Sequence, residues 1–126
     1  MKKLMLIIFV TSFCFSCNEP LKESGSIDVL NGTDIKTQIP FQIGNFIEFQ
    51  KTVSKIDFDK IIKKSSIEAK NNCKYILTFE PISISMFSEN DTITTVFRYS
   101  AKNAFGVPDE LTTYSKFKGV VFIRSF

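Results

Sequence analysis

The sequence predicts an α+β domain: one amphipathic helix packed on an antiparallel sheet of about four to six strands. Three observations lead there. Most of the chain after residue 73 alternates apolar with polar residues, the period of a half-buried strand. A single stretch, 58–69, instead repeats its apolar residues at helical spacing. Strand-like segments come in runs before and after that helix and do not alternate with further helices, which favours a helix laid on a sheet over a doubly wound fold.

The elements follow in order. Residues 18–26 are polar, with Pro20 and Gly25, and read with residue 17 as a tether over 17–26. A single domain then occupies 27–126. Asn31-Gly32 is the strongest early turn signal. A two-residue hairpin there would set Leu30 opposite Thr33 and Val29 opposite Asp34, mixing apolar and polar on both faces. The turn is therefore better specified than its register. Phe41, Ile43, Ile47, Phe49 and Val53 all fall at odd positions, which predicts a half-buried strand interrupted at Gly44-Asn45. Ser54-x-x-Asp57 resembles a capping box, with Asp in place of Glu or Gln. Beyond it Phe58, Ile61, Ile62, Ser65 and Ala69 share one face of a helix of about 14 residues ending near Asn71-Asn72. Lys60, Lys63, Lys64 and Lys70 lie opposite, and Ile67 falls among them.

Strands are expected for the remainder. Cys73, Tyr75, Leu77 and Phe79 share one parity, while Ile82, Ile84 and Met86 share the other. The phase changes at Glu80-Pro81, where proline cannot donate to a ladder, so a bulge or break is expected. Residues 88–91 turn the chain into 93–101, in which Ile93, Thr95, Phe97, Tyr99 and Ala101 alternate with Thr94, Val96, Arg98 and Ser100. A loop over 103–109 precedes closing strands near 111–117 and 120–124. The segment FRYSAKNAFG, residues 97–106, resembles a late strand-and-turn found in small exported bacterial proteins of unknown function. Asn103 and Gly106 would supply the turn conformations there, while Tyr99 and Phe105 pack.

The start of the chain reads as an export signal. Met1-Lys2-Lys3 precedes an apolar run over 4–15 in which Thr11 and Ser12 are the polar exceptions. A helix of that length rises about 18 Å, short of a bilayer core of about 30 Å, and a small residue, Ser16, precedes a cut. Residues 1–20, MKKLMLIIFVTSFCFSCNEP, resemble the signal of a bacterial lipoprotein. There the cysteine after the cut carries a diacylglycerol thioether and the segment before it, here 1–16, is removed. Ser16 matches the small residue ahead of that cysteine, whereas Cys14 and Phe15 depart from the usual pattern. The resemblance implies lipidation of Cys17 with palmitate-type acyl chains and anchorage in a cell membrane. Asn18 after the cysteine resembles an outer-membrane address in the enteric sorting scheme, with the domain periplasmic or surface-facing. Ordinary signal cleavage after Ser16, giving a secreted protein, is the main alternative, and an uncleaved anchor is the third.

Composition excludes much chemistry. Removing 16 of the 126 residues takes Lys2 and Lys3 and lowers the formal charge from +3 to about +1, so no polyanionic partner is implied and no nucleic acid is expected. There is no histidine, hence no Ser-His-Asp or Cys-His catalysis and no His ligand for zinc. With Cys17 lipidated, Cys73 is left as a small buried hydrophobe without a disulfide partner. Glu48, Glu80 and Asp109-Glu110 are the carboxylates that an acid–base pair would draw on, but nothing in the sequence brings them together. Glu89-Asn90-Asp91 lacks the spacing of a calcium loop. Asp57 and Asp59 complement the helix dipole. The lysine face would meet anionic headgroups beside an anchor or simply stay solvated. Asn31-Gly32-Thr33 and Asn90-Asp91-Thr92 are formal glycosylation acceptors without meaning in a bacterial setting. The expectation is a non-catalytic envelope protein without cofactor or metal. Its role would be protein interaction or assembly; the alternative is a small-molecule or lipid binder using the Phe-rich sheet under the helix.

Overall fold

The computed structural model describes residues 20–126. The expected signal segment 1–16, Cys17 and the first residues of the expected tether lie outside the described residues. The sheet has six strands in chain order: β1 (Ser24–Leu30), β2 (Lys36–Gly44), β3 (Glu80–Glu89), β4 (Thr92–Lys102), β5 (Pro108–Lys118) and β6 (Val121–Ser125). Two helices, α1 (Phe46–Thr52) and α2 (Lys55–Asn71), lie between β2 and β3. The α+β class with a helix packed on the sheet holds. β1 begins at Ser24, so residues 24–26 of the expected tether already pair with β2.

The sheet is mixed where a wholly antiparallel one was expected. β2 and β3 run parallel, with Phe41 beside Ile84 and Gly44 beside Phe87; the other neighbours are antiparallel. The cause is the helical passage. β2 finishes at one end of the sheet and α2 carries the chain back to the other, so β3 starts where β2 started and runs alongside it.

Helix α2 is the element most fully specified by its own residues. Ser54 caps it, its Oγ accepting from the Asp57 N–H at 3.2 Å, which satisfies one of the free first-turn donors. Phe58, Ile61, Ile62, Ser65 and Ala69 are its buried residues and Ile67 is exposed, as the helical spacing requires.

Between the helices and the sheet, Phe49 of α1, Phe58 of α2, Phe79, Phe97 and Phe117 are fully buried, each stabilising the fold by roughly 1.5–3 kcal/mol relative to exposure. Phe97 stacks on Phe79 with centroids 6.0 Å apart, and Phe41 meets Phe58 edge-on at 5.1 Å. Between α2 and the middle strands lies a polar seam. Ser65 and Thr95 share a hydroxyl–hydroxyl bond of 2.8 Å, and Thr113 meets the Tyr99 hydroxyl at 3.0 Å and the Asn72 amide at 3.2 Å. Ser115 on the same face is buried, and its hydroxyl has no partner.

Two expected strands are corrected. Residues 41–53 do not form one interrupted strand. Asn45 takes the left-handed conformation (φ 51°), which Asn tolerates better than most residues, and the chain turns into α1. Phe49 keeps its burial on α1 and Val53 keeps its own in the extended residue just after it, while Ile47, which shares their parity, is 67% exposed. Residues 73–79 form no strand: a 3-10 turn over Ile76–Thr78 carries the chain from the end of α2 to the start of β3 at Glu80, and its Gly32–Phe79 and Lys102–Thr78 hydrogen bonds tie it to the neighbouring loops instead of a ladder. The Asn31-Gly32 turn is present but longer than a two-residue hairpin: Leu30 pairs with Lys36. The phase change near Pro81 is a register shift between Pro81 and Ser83.

Candidate functional site: three loops at one end

Topology gathers three connections at one end of the sheet: the β1–β2 loop, the segment from α2 to β3, and the β4–β5 loop. Residues 20–23, the α1 region, the β3–β4 turn and Gly119 lie at the opposite end.

Both hairpin loops at this end have one design. In 31–35 the Asn31 N–H donates to the Ile35 carbonyl (2.9 Å), and the Asn31 side-chain oxygen accepts from the N–H groups of Thr33 (2.9 Å) and Ile35 (3.0 Å). In 103–107 the Asn103 N–H donates to the Val107 carbonyl (2.9 Å), and its side-chain oxygen accepts from the N–H groups of Phe105 (2.9 Å) and Val107 (3.1 Å). The fourth residue of each, Asp34 (φ 60°) and Gly106 (φ 74°), takes the left-handed conformation and donates its N–H back to the asparagine carbonyl. Asparagine competes for local backbone groups in this way.

The 3-10 turn is tied between them. The Gly32 N–H donates to the Phe79 carbonyl at 2.7 Å, and the Thr78 hydroxyl accepts from the Lys102 N–H at 2.9 Å. Lys70 reaches the Asn31 carbonyl (3.2 Å) and Asp34 (3.1 Å). The three connections thus form one hydrogen-bonded surface.

That surface is apolar. Leu77 is 75% exposed and Phe105 89%, with Ile35, Tyr75, Ile76 and Val107 also exposed. A shallow open trough of about 610 Å³ runs between the 3-10 turn and the β4–β5 loop. Its charged lining consists of Lys74 and Lys102. Neither has an ion-pair partner among the described residues, and Lys74 rests its ammonium 5.8 Å from the Tyr75 ring centre. The expectation that Phe105 packs is therefore overturned: β5 pairs with β4 up to Lys102 and Pro108, so the loop points outward. A second depression, about 560 Å³, lies between β1 and α2, with Ile27, Val29 and Ile62 among its lining and lysines and aspartates both at its rim.

The other candidates are dispersed. Glu48 pairs with Lys51 (3.2 Å) at the far end. Glu80 accepts from the Asn31 amide (3.3 Å), Asp109 from the Asn103 amide (3.1 Å), and Glu110 pairs with Arg98. Glu80 and Glu110 flank Ser100 in register, two strand spacings or about 10 Å apart, and both are exposed. Asp57 and Asp59 sit in the first turns of α2, Asp59 against Lys55 at 2.6 Å. Glu89, Asn90 and Asp91 form the β3–β4 turn, with Asn90 left-handed. Among the described residues no three His, Cys, Asp or Glu side chains gather. The lysine face is divided: Lys64 donates to the Val120 carbonyl (2.5 Å) and Lys70 to the β1–β2 loop. Cys73 is buried and free, its thiol donating to the Ala69 carbonyl at 3.5 Å, and burial raises its pKa above the ordinary thiol value.

Sequence reasoning missed the three-loop surface because Tyr75 and Leu77 share parity with the buried Cys73 and Phe79. The usable signal was Ile76, an apolar residue on the supposed polar face, which is a poor fit to a half-buried strand. No helix among the described residues is long and apolar enough to cross a membrane. Compared with known protein families, with curated proteins and with solved structures, the chain matches none.

Proposed function

We propose that the chain is a lipid-anchored protein of the bacterial cell envelope, held through Cys17 on the outer membrane, and that it works by binding another protein and not by catalysis. The observation that supports this reading is the end surface itself. Ile35, Tyr75, Ile76, Leu77, Phe105 and Val107 expose apolar side chains together on hydrogen-bonded loops at one end of the sheet, opposite the end at which the chain enters from residue 20. Apolar groups concentrated on one exposed surface mark interaction sites more often than scattered ones do.

The space between helix and sheet is filled by Phe49, Phe58, Phe79, Phe97 and Phe117. That favours a surface partner over a small molecule or lipid held beneath the helix. The exposed and dispersed carboxylates, together with the absence of histidine, favour a binding role over turnover.

The anchor is tested by the intact mass of the protein extracted from its own membranes, beside a Cys17→Ala variant. A chain beginning at Cys17 and carrying acyl mass, lost in the variant, is expected. An unmodified chain in the soluble fraction would overturn the anchor and leave a secreted protein.

A further inference from the structure

We infer that the trough between the 3-10 turn and the β4–β5 loop docks an apolar, carboxylate-bearing segment of a partner protein, presented away from the membrane. The inference rests on the anchored, protein-binding reading above and names the partner's chemistry.

Charge argues first. The trough combines the apolar side chains of Tyr75, Ile76 and Leu77 with Lys74 and Lys102, and no carboxylate lines it. A partner that covered it with apolar groups alone would bury two ammonium groups without counter-charge, which is costly. Aliphatic or aromatic residues interspersed with Asp or Glu satisfy both requirements, and like charges would be rejected. The β1–β2 side of the same end differs, because there Lys70 is already paired with Asp34.

The direction of the chain favours a protein over the bilayer that holds the anchor. Ser24 lies in register with Gln42, Ser85 and Val96 across the sheet, about 20 Å along the strands from Lys102 at the trough. The chain arrives there from the opposite end of the sheet, so an upright domain turns the trough away from that bilayer. The trough is open along its length, so it would leave an acyl chain largely in water. Its loops are already ordered by internal hydrogen bonds, so binding costs little further ordering.

The test uses the full mature chain extracted in detergent and two labelled synthetic peptides: one alternating Leu or Phe with Glu, the other with Lys in place of Glu. Anisotropy titration is expected to show the acidic peptide binding at least about tenfold more tightly than the basic one. The variant K74E/K102E is expected to invert that order, K74R/K102R to keep it, and Leu77→Asp to weaken the acidic peptide by about tenfold or more. All substituted side chains are exposed, and unchanged thermal melting verifies their folding. Equal affinity for the two peptides, or an order unmoved by K74E/K102E, would overturn the inference. So would phosphatidylglycerol vesicles binding the Cys17→Ala variant through Lys74 and Lys102, since the trough would then be a lipid site. Acylation at Cys17 without peptide selectivity removes the trough alone; selectivity retained in a chain that proves unacylated removes the anchor and the presentation away from the membrane.

Discussion

The α-carbon of Gly32 faces the backbone of the 3-10 turn so closely that a β-carbon there would lie 2.2 Å from the carbonyl oxygen of Ile76 and 2.6 Å from that of Leu77. The obstacles are backbone atoms, which cannot step aside by a rotamer change. Gly32→Ala is therefore expected to displace the turn and destabilise the chain by about 1–3 kcal/mol. Urea unfolding measures the cost. The same variant should weaken acidic-peptide binding at the trough although residue 32 does not line it.

The paired hydroxyls of Ser65 and Thr95, both fully buried, carry a second prediction. Ser65→Ala strands the Thr95 hydroxyl in the core and should cost about 1–3 kcal/mol. Ser65→Ala with Thr95→Val removes both partners and should cost less than the two single changes together. Ser115 supplies the opposite case. Its hydroxyl is already unpartnered, so Ser115→Ala should leave stability unchanged or raise it by up to about 1 kcal/mol. A double-mutant cycle by chemical denaturation checks all three.

Burial holds the Cys73 thiol protonated to higher pH than in the unfolded chain. The folded state then binds the proton more tightly, so this contribution to stability is complete below the unfolded thiol pKa and is lost as pH rises through the folded one. Wild type should lose stability relative to Cys73→Ala on moving above the ordinary thiol range, and the difference between the two should level off at lower pH. Denaturation midpoints across that range measure it. Alkylation of Cys73 should also be slow until the chain unfolds.

Asn31 and Asn103 perform the same task in separate loops, each accepting two backbone N–H groups. Replacing either with Ala should cost about 0.5–1.5 kcal/mol. Because the two share no hydrogen-bond partner, the costs should add. Thermal unfolding of the single and double variants tests both statements.

How much of this was legible depends on where each residue's role was decided. The face of α2 could be read from Phe58 to Ala69 because local spacing alone determines which side chains turn inward. The alternation from Ile93 to Ala101 was equally plain, since β4 lies between β3 and β5 with one face on the core. Phe41–Val53 misled because five odd-numbered apolar residues satisfy a strand. Phe46, Phe49 and Val53 satisfy a helix just as well, and the left-handed Asn45 decided between them. The candidate site was hidden for a different reason. Tyr75, Leu77 and Phe105 are residue types that normally pack, and only the completed topology shows that no element remains to cover them.

The single parallel pairing between β2 and β3 divides the sheet into parts of unequal difficulty. β3 to β6 form a meander whose partners are near neighbours in sequence, and β1–β2 is a hairpin of its own. The seam joining them closes only after the whole helical passage has been looped out, which carries the largest entropy of closure in the molecule. Folding should therefore nucleate within the meander, with the hairpin docking as a late event. Core substitutions at Phe97 would then slow folding, whereas Ile39→Val on β2 would chiefly hasten unfolding. The strand that receives the chain from the tether is thus the part of the sheet most dependent on everything that comes after it.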